Sequence, residues 1–236
     1  MDSKCAFFTL IYKKRVANSY VQFLIQGDFL LIASREDIDK SNAWNTALRA
    51  GVIEAVISAV HSFNSDPQLR YAWPRYLPWK GELLNFFSNL KSDLFERISS
   101  ESILESCSGD IKKPSDLILI PEKFRDTQNT PMTISSATAS KYLSHTYQNA
   151  DRDVLLMLGA TEMTTKMFLE DLTTIIAKDP KEIWTKDSQW HSKLAEILLL
   201  HANESELAPL VSGLSLIPLR NGNVGERGEW AHLFPR

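Results

Sequence analysis

The chain has 236 residues, enough for one large or two modest cores, and its 44% hydrophobic and 23% charged residues exclude a disordered or collagen-like polymer. Twenty-six Lys and Arg stand against 29 Asp and Glu, a net charge of −3, so no bulk field attracts nucleic acid or anionic lipid. The two cysteines, Cys5 and Cys107, argue against a disulfide framework or a Cys-rich zinc site and fit a reducing intracellular compartment, cytoplasmic or nuclear, while no stretch reaches the roughly 20 apolar residues of a membrane span.

In chain order, the apolar run Ala6 to Tyr12 reads as a strand or a ragged start. Val21 to Ala33 reads as two strands, or one bent strand, broken at Gln26-Gly27-Asp28, where glycine permits a bulge or turn. Ser34 to Asp37 has capping-box spacing and predicts a short helical turn. Trp44, Leu48, Val52, Ala55, Val56, Ala59 and Phe63 recur at the spacing of one helical face, and Asn64-Ser65-Asp66-Pro67 supplies the stop. Tyr71 to Trp79, with Trp73, Tyr76 and Trp79 around Pro74 and Pro78, reads as a rigid aromatic connector.

Leu83, Phe87, Leu90, Leu94 and Ile98 predict a second amphipathic helix. Ile103-Leu104 and Leu117 to Ile120 flank Ser108-Gly109-Asp110 and predict a hairpin region between them. Asp126 to Ser140 is polar and reads as a surface loop. Asp151 to Leu158 predicts a short helix closed by Gly159. Thr165 opens another, with Phe168, Leu169, Leu172, Ile175 and Ile176 inward, and Asp187-Ser188 opens a third through Trp190, Leu194, Ile197 and Leu198. Leu214 to Leu219 returns to strand character before an Asn221-Gly222 turn. The fold class is therefore α+β, short strands with several amphipathic helices, expected as a strand pair plus long helix over 1–66 and a helical region with short hairpins over 67–236.

Few residues carry recognisable chemistry. The five histidines, His61, His145, His191, His201 and His232, form no HxH or HExxH pair, so no metal site is predicted. Neither a GxSxG elbow nor a Walker-type loop is present, and the glycines of NGNVGERG follow a strand and precede no helix, so they read as a turn. Trp73, Trp79, Trp184 and Trp190 with Arg70 and Arg75 could form a base-stacking platform, but mixed surrounding charge favours packing instead. Arg35 sits at a strand end before a helix, and its ordinary reading is a local ion pair with Glu36 or Asp39.

The stretch FLIQGDFLLIASREDI followed by SNAWNTALRAGVIEAVISAV resembles sacsin-like and No Vein-like proteins, which carry an ATPase region related to the ninety-kilodalton heat-shock chaperone. The motifs are Ser34-Arg35-Glu36 at a strand end and Trp44-Asn45 opening a long helix. Weaker matches are Leu69-Arg70-Tyr71, Trp73-Pro74, Tyr142-Leu143-Ser144, Leu158-Gly159, Trp190-His191 and Leu216 to Arg220. The resemblance implies that 1–66 is like a chaperone middle-domain element. It also implies that Arg35 reaches the terminal phosphate of ATP held by a preceding domain, with Ser34, Glu36, Trp44 and Asn45 supporting the motif.

The family's pocket elements, an acidic helix with Asn, an Asp-x-Gly and a Gly-rich lid, precede this region. The expectation is thus a truncated or isolated post-ATPase segment that is not an enzyme by itself. It needs no cofactor, ATP entering only if a nucleotide-binding domain is joined to it. The implied partners are such a domain or protein clients, without nucleic acid or membrane. The alternative is a protein-interaction or scaffold module with no nucleotide link.

Overall fold

A computed structural model describes residue 25 and residues 27–34, 37–78, 85–135, 138–202 and 204–214. Helices dominate, and among the described residues strand is confined to two small two-stranded sheets, so the class is α+β as the residue patterns require. Two compact units interleave along the chain, one drawn from Met1–Leu117 and Thr146–Thr161, the other from Ile118–His145 and Glu162–Arg236.

In the first unit, helix α1 (Ala43–Ser65) begins where the Asn42 side chain accepts from the Trp44 amide, satisfying a donor that lacks a partner within the helix. It ends before Asp66-Pro67. Its fully buried residues are Asn45, Val52, Ile57 and Val60, whereas Trp44 is 54% exposed. The predicted face is therefore rotated. Apolar residues run almost continuously from Val52 to Val60, so periodicity alone does not choose the inward stripe; helix α2 (Leu90–Ser99), against which α1 packs, does. Arg49–Asp93 and Glu54–Arg97, both 3.5 Å apart, pair across the two helices.

Helix α2 starts at Leu90, later than the pattern from Leu83 suggests, after one tight turn at Asn85–Phe87. Leu90, Leu94, Phe95 and Ile98 face inward. The hairpin also differs from expectation: β1 (Leu104–Glu105) pairs antiparallel with β2 (Ile111–Lys112), not with Leu117 to Ile120. Its turn closes within five residues, because Ser106 donates to Asp110 at 2.8 Å, Gly109 donates back to Ser106 at 3.0 Å, and Gly109 adopts a positive φ of 89°. Helix α3 (Arg152–Met157) stops at Gly159, φ 109°, as predicted.

The described part of Val21 to Ala33 is an extended arm rather than a pair of strands. It makes one antiparallel bridge, Leu31 to Ile38, flanked by Ile32 N–H to Asp37 C=O at 3.0 Å and Asp39 N–H to Leu30 C=O at 2.9 Å. Asp37 to Asp39 thus runs back antiparallel to Leu30 to Ile32, with the Asp37 carboxylate accepting from the Ile38 amide. The helical turn expected over Ser34 to Asp37 includes Arg35 and Glu36, which lie outside the described residues. Ala6 to Tyr12, Val21 to Leu24 and Ser215 to Leu219 lie outside the described residues.

In the second unit, β3 (Ile118–Leu119) takes a backbone bond from Leu143 to Ile118 and another from Met163 to Leu119, each 2.9 Å. Helix α4 (Thr165–Lys178) is capped by Thr164 and buries Phe168, Leu169, Leu172, Ile175 and Ile176, the predicted face. The Phe168 ring stacks on Phe124 at 4.6 Å. A short α5 (Lys181–Trp184) leads to α6 (Ser188–His201), capped by Asp187 and burying Trp190, Leu194 and Ile197, and then to α7 (Ala208–Ser212). The polar loop after Asp126 is only partly superficial, since Met132 and Thr133 are buried.

Candidate functional site

The motif residues divide by environment. Ser34 is exposed, and Arg35 and Glu36 lie outside the described residues. Trp44 leaves more than half its surface in solvent while its Nε1 donates to the Asp28 carbonyl at 3.0 Å. Asn45 is 0% exposed: its Oδ1 accepts from the Leu30 N–H, and its Nδ2 donates to the carbonyls of Leu30 and Asp39, each at 2.8 Å. Both amide protons of Asn45 are used, so its work is to fasten the arm to the first turn of α1.

A second anchor was not legible in the motif. The Phe29 ring sits edge-on to Phe86 at 6.0 Å and to Phe87 at 5.6 Å, and the Arg49 guanidinium lies over Phe86. The signal available in sequence was only the Phe86-Phe87 pair itself. With its backbone held by Asn45 and Phe29 held by aromatic contacts, the arm still exposes Leu30 (49%), Leu31 (50%) and Ile32 (42%).

Elsewhere in the first unit a polar cluster surrounds Glu105. Its carboxylate accepts from Arg70 at 2.7 Å and from the Tyr71 hydroxyl at 2.6 Å, while its amide donates to the Tyr147 hydroxyl at 3.2 Å. The hydrogen bond to Glu105 raises the Arg70 guanidinium pKa, and burial raises that of the Tyr147 phenol. Arg75 pairs with the buried Asp151 at 2.9 Å. Trp73, 1% exposed, donates to Asn64 at 3.1 Å. Arg70, Trp73 and Arg75 are thus committed to protein partners, and Trp73 is closed to a stacking base. In the second unit Trp190 is buried as well; Trp79 lies outside the described residues.

Two further groups belong to the second unit. Lys141 donates to Asp171 at 2.7 Å, and among the described residues the other Asp171 carboxylate oxygen is buried without a partner. Burial raises the Asp171 pKa, partly opposed by Lys141. His201 lies 2.6 Å from Glu204 through Nδ1 and 3.4 Å from the Thr165 hydroxyl through Nε2. His191 shares α6 with His201 but packs edge-on against the Trp190 ring instead, 5.2 Å between centroids. Among the described residues, no three His, Cys, Asp or Glu converge as metal ligands.

Over 242 aligned residues the chain is 32% identical to Protein NO VEIN of Arabidopsis thaliana, and the alignment takes in 90% of this chain. The chain spans only 8% of the length of that relative. The relationship is No Vein-like. No protein-family model matches the chain, and no solved structure matches it.

Proposed function

We propose that this No Vein-like chain is a positioning segment of a longer, chaperone-related protein, presenting Arg35 to the terminal phosphate of ATP bound by a preceding domain. The observation that supports this reading is the burial of Asn45. A fully buried amide spends three hydrogen bonds on an otherwise exposed arm, and the residues on either side of Arg35-Glu36 are tied by the Ile32 to Asp37 bond at 3.0 Å. Such fixing suits a side chain that must meet a developing charge with little reorganisation.

In this reading the isolated chain is not an enzyme and requires no cofactor, because one arginine cannot hold a nucleotide and its metal. Its partner is the nucleotide-binding domain, its setting the reducing cell interior, cytoplasmic or nuclear, without nucleic acid or membrane. The test joins the segment to its nucleotide domain. Arg35→Ala there lowers ATP turnover by about 10²–10³-fold with little change in nucleotide affinity. Unchanged turnover overturns the reading. Calorimetric titration of the isolated chain with Mg-ATP gives no saturable heat.

A second reading, a protein-interaction module with no nucleotide link, is favoured by the half-exposed Leu30, Leu31, Ile32 and Trp44. It expects the joined protein to be indifferent to Arg35→Ala.

A further inference from the structure

The start of α4 meets the end of α6 at three side chains with a definite chemical order. Thr165, the first residue of α4, follows the short strand β4 (Thr161–Glu162) after only Met163 and the cap Thr164. Its hydroxyl lies 3.4 Å from His201 Nε2, and His201 Nδ1 lies 2.6 Å from a Glu204 carboxylate oxygen. An ionised carboxylate only accepts, so the contact with Glu204 places the proton of a neutral imidazole on Nδ1 and leaves Nε2 to accept from Thr165. Carboxylate, imidazole and hydroxyl in that order form the arrangement that activates an oxygen nucleophile. Without a substrate the hydroxyl–imidazole bond of such a site is often long, as it is here.

The other hydroxyls of the same helix show what is particular to Thr165. Thr173 and Thr174 donate to the carbonyls of Leu169 and Glu170 at 2.8 and 2.9 Å, and their protons are spent there. The Thr164 hydroxyl accepts from the Met167 amide at 3.2 Å, and the Thr164 carbonyl accepts from Phe168 at 3.0 Å. Among the described residues the Thr165 and Lys166 amides make no hydrogen bond. They stand at the positive end of a 14-residue helix, beside the hydroxyl, where a developing oxyanion is stabilised. The group is also open to a reagent: Thr165 is half-buried, and the side chains of His201 and Glu204 are 21% and 53% exposed.

We propose that Thr165 is an acyl-acceptor site, its hydroxyl made nucleophilic by His201 and modified by activated esters or thioesters of small carboxylic acids. The bond from Oγ to the acyl carbon forms as the bond from that carbon to its ester oxygen or thioester sulfur breaks. The hydroxyl proton passes to His201 Nε2 and then to the departing oxygen or sulfur. Glu204 acts through His201, as a positioning residue. Two amides suit the single oxyanion of acyl transfer, whereas a phosphoryl group needs a metal or a clamp of cations. The acyl-threonine is the end product, so the isolated chain takes up one acyl group without turnover. The inference uses neither Arg35 nor a nucleotide, and either reading can fail without the other.

Treating the full chain with p-nitrophenyl acetate tests it. The expected result is an acetyl group that peptide mapping places on Thr165, with Thr173 and Thr174 unmodified as controls in the same helix. Thr165→Ser keeps the modification, and His201→Gln slows it by about 10²–10⁴-fold, the usual worth of a positioned base. Glu204→Gln slows it as well and Glu204→Asp restores it, a pattern that a merely structural carboxylate does not produce. A fluorophosphonate applied to the unaltered chain reads the same hydroxyl without any substitution, and labels Thr165. Acetylation of lysines with none at Thr165, a fluorophosphonate that leaves Thr165 untouched, or a folded His201→Gln that reacts as fast as the parent overturns the proposal.

Discussion

The side-chain amide of Asn45 holds both backbone groups of Leu30, accepting from its N–H and donating to its C=O at 2.8 Å each. The geometry is that of a strand partner supplied by a helix residue. Removing it strands the Leu30 amide and weakens the tie to the Asp39 carbonyl. Asn45→Ala therefore costs about 2–4 kcal/mol in urea unfolding, the scale for leaving buried backbone groups unsatisfied. Asn45→Asp costs at least as much, since it loses both donors and buries a charge. A loss below about 0.5 kcal/mol would show that the arm is not fastened through this residue.

Helix α1 offers a comparison within one segment. Ile57 is 6% exposed and faces the core, while the adjacent Val56 is only half-buried. Ile57→Ala should cost about 2–4 kcal/mol and Val56→Ala about 1 kcal/mol or less. Val52→Asp places an unpaired charge at a 4% exposed position and lowers stability by several kcal/mol, roughly the desolvation cost of the group. Equal costs at Ile57 and Val56 in thermal melts would contradict the orientation of the helix.

Asp171 gives a pH dependence with a definite sign. Its folded pKa is raised by burial, so the folded state holds the proton more tightly than the unfolded one. Its contribution is fully present below the unfolded value, about 3.9, and is lost as pH rises through the higher folded pKa. Asp171→Asn removes that slope. The stability of the parent relative to the variant should fall between about pH 4 and the folded pKa. A constant difference across urea titrations from acid to neutral pH would refute the assignment.

Two glycines predict opposite signs. Gly159 closes α3 at φ 109°, a conformation that L side chains resist, and Gly159→Ala costs about 1–2 kcal/mol through backbone strain. Gly51 lies on the exposed side of α1, and an added Cβ there meets nothing within 4 Å. Gly51→Ala therefore stabilises by about 0.5–1 kcal/mol. Paired melting curves check both directions at once.

Helices whose ends carry local signals were legible from the sequence. Asp187 caps its helix with its own side chain and Gly159 ends α3, as read from the sequence, because these choices are settled by chemistry within four residues, whereas the caps supplied by Asn42 and Thr164 emerged only in the structure. The single-sided apolar stripe of α4 was equally clear. By itself the sequence also determined the Trp44-Asn45 motif and its No Vein-like relationship, but not what Asn45 does. Tertiary structure alone decided that Val52, Ile57 and Val60 form the inward stripe of α1, that Ile111 rather than Leu117 to Ile120 faces β1, and that Asn45 turns back to Leu30. Those outcomes depend on partners 6 to 15 residues or more away, and neither propensity nor periodicity carries information about which distant backbone group a buried amide will meet.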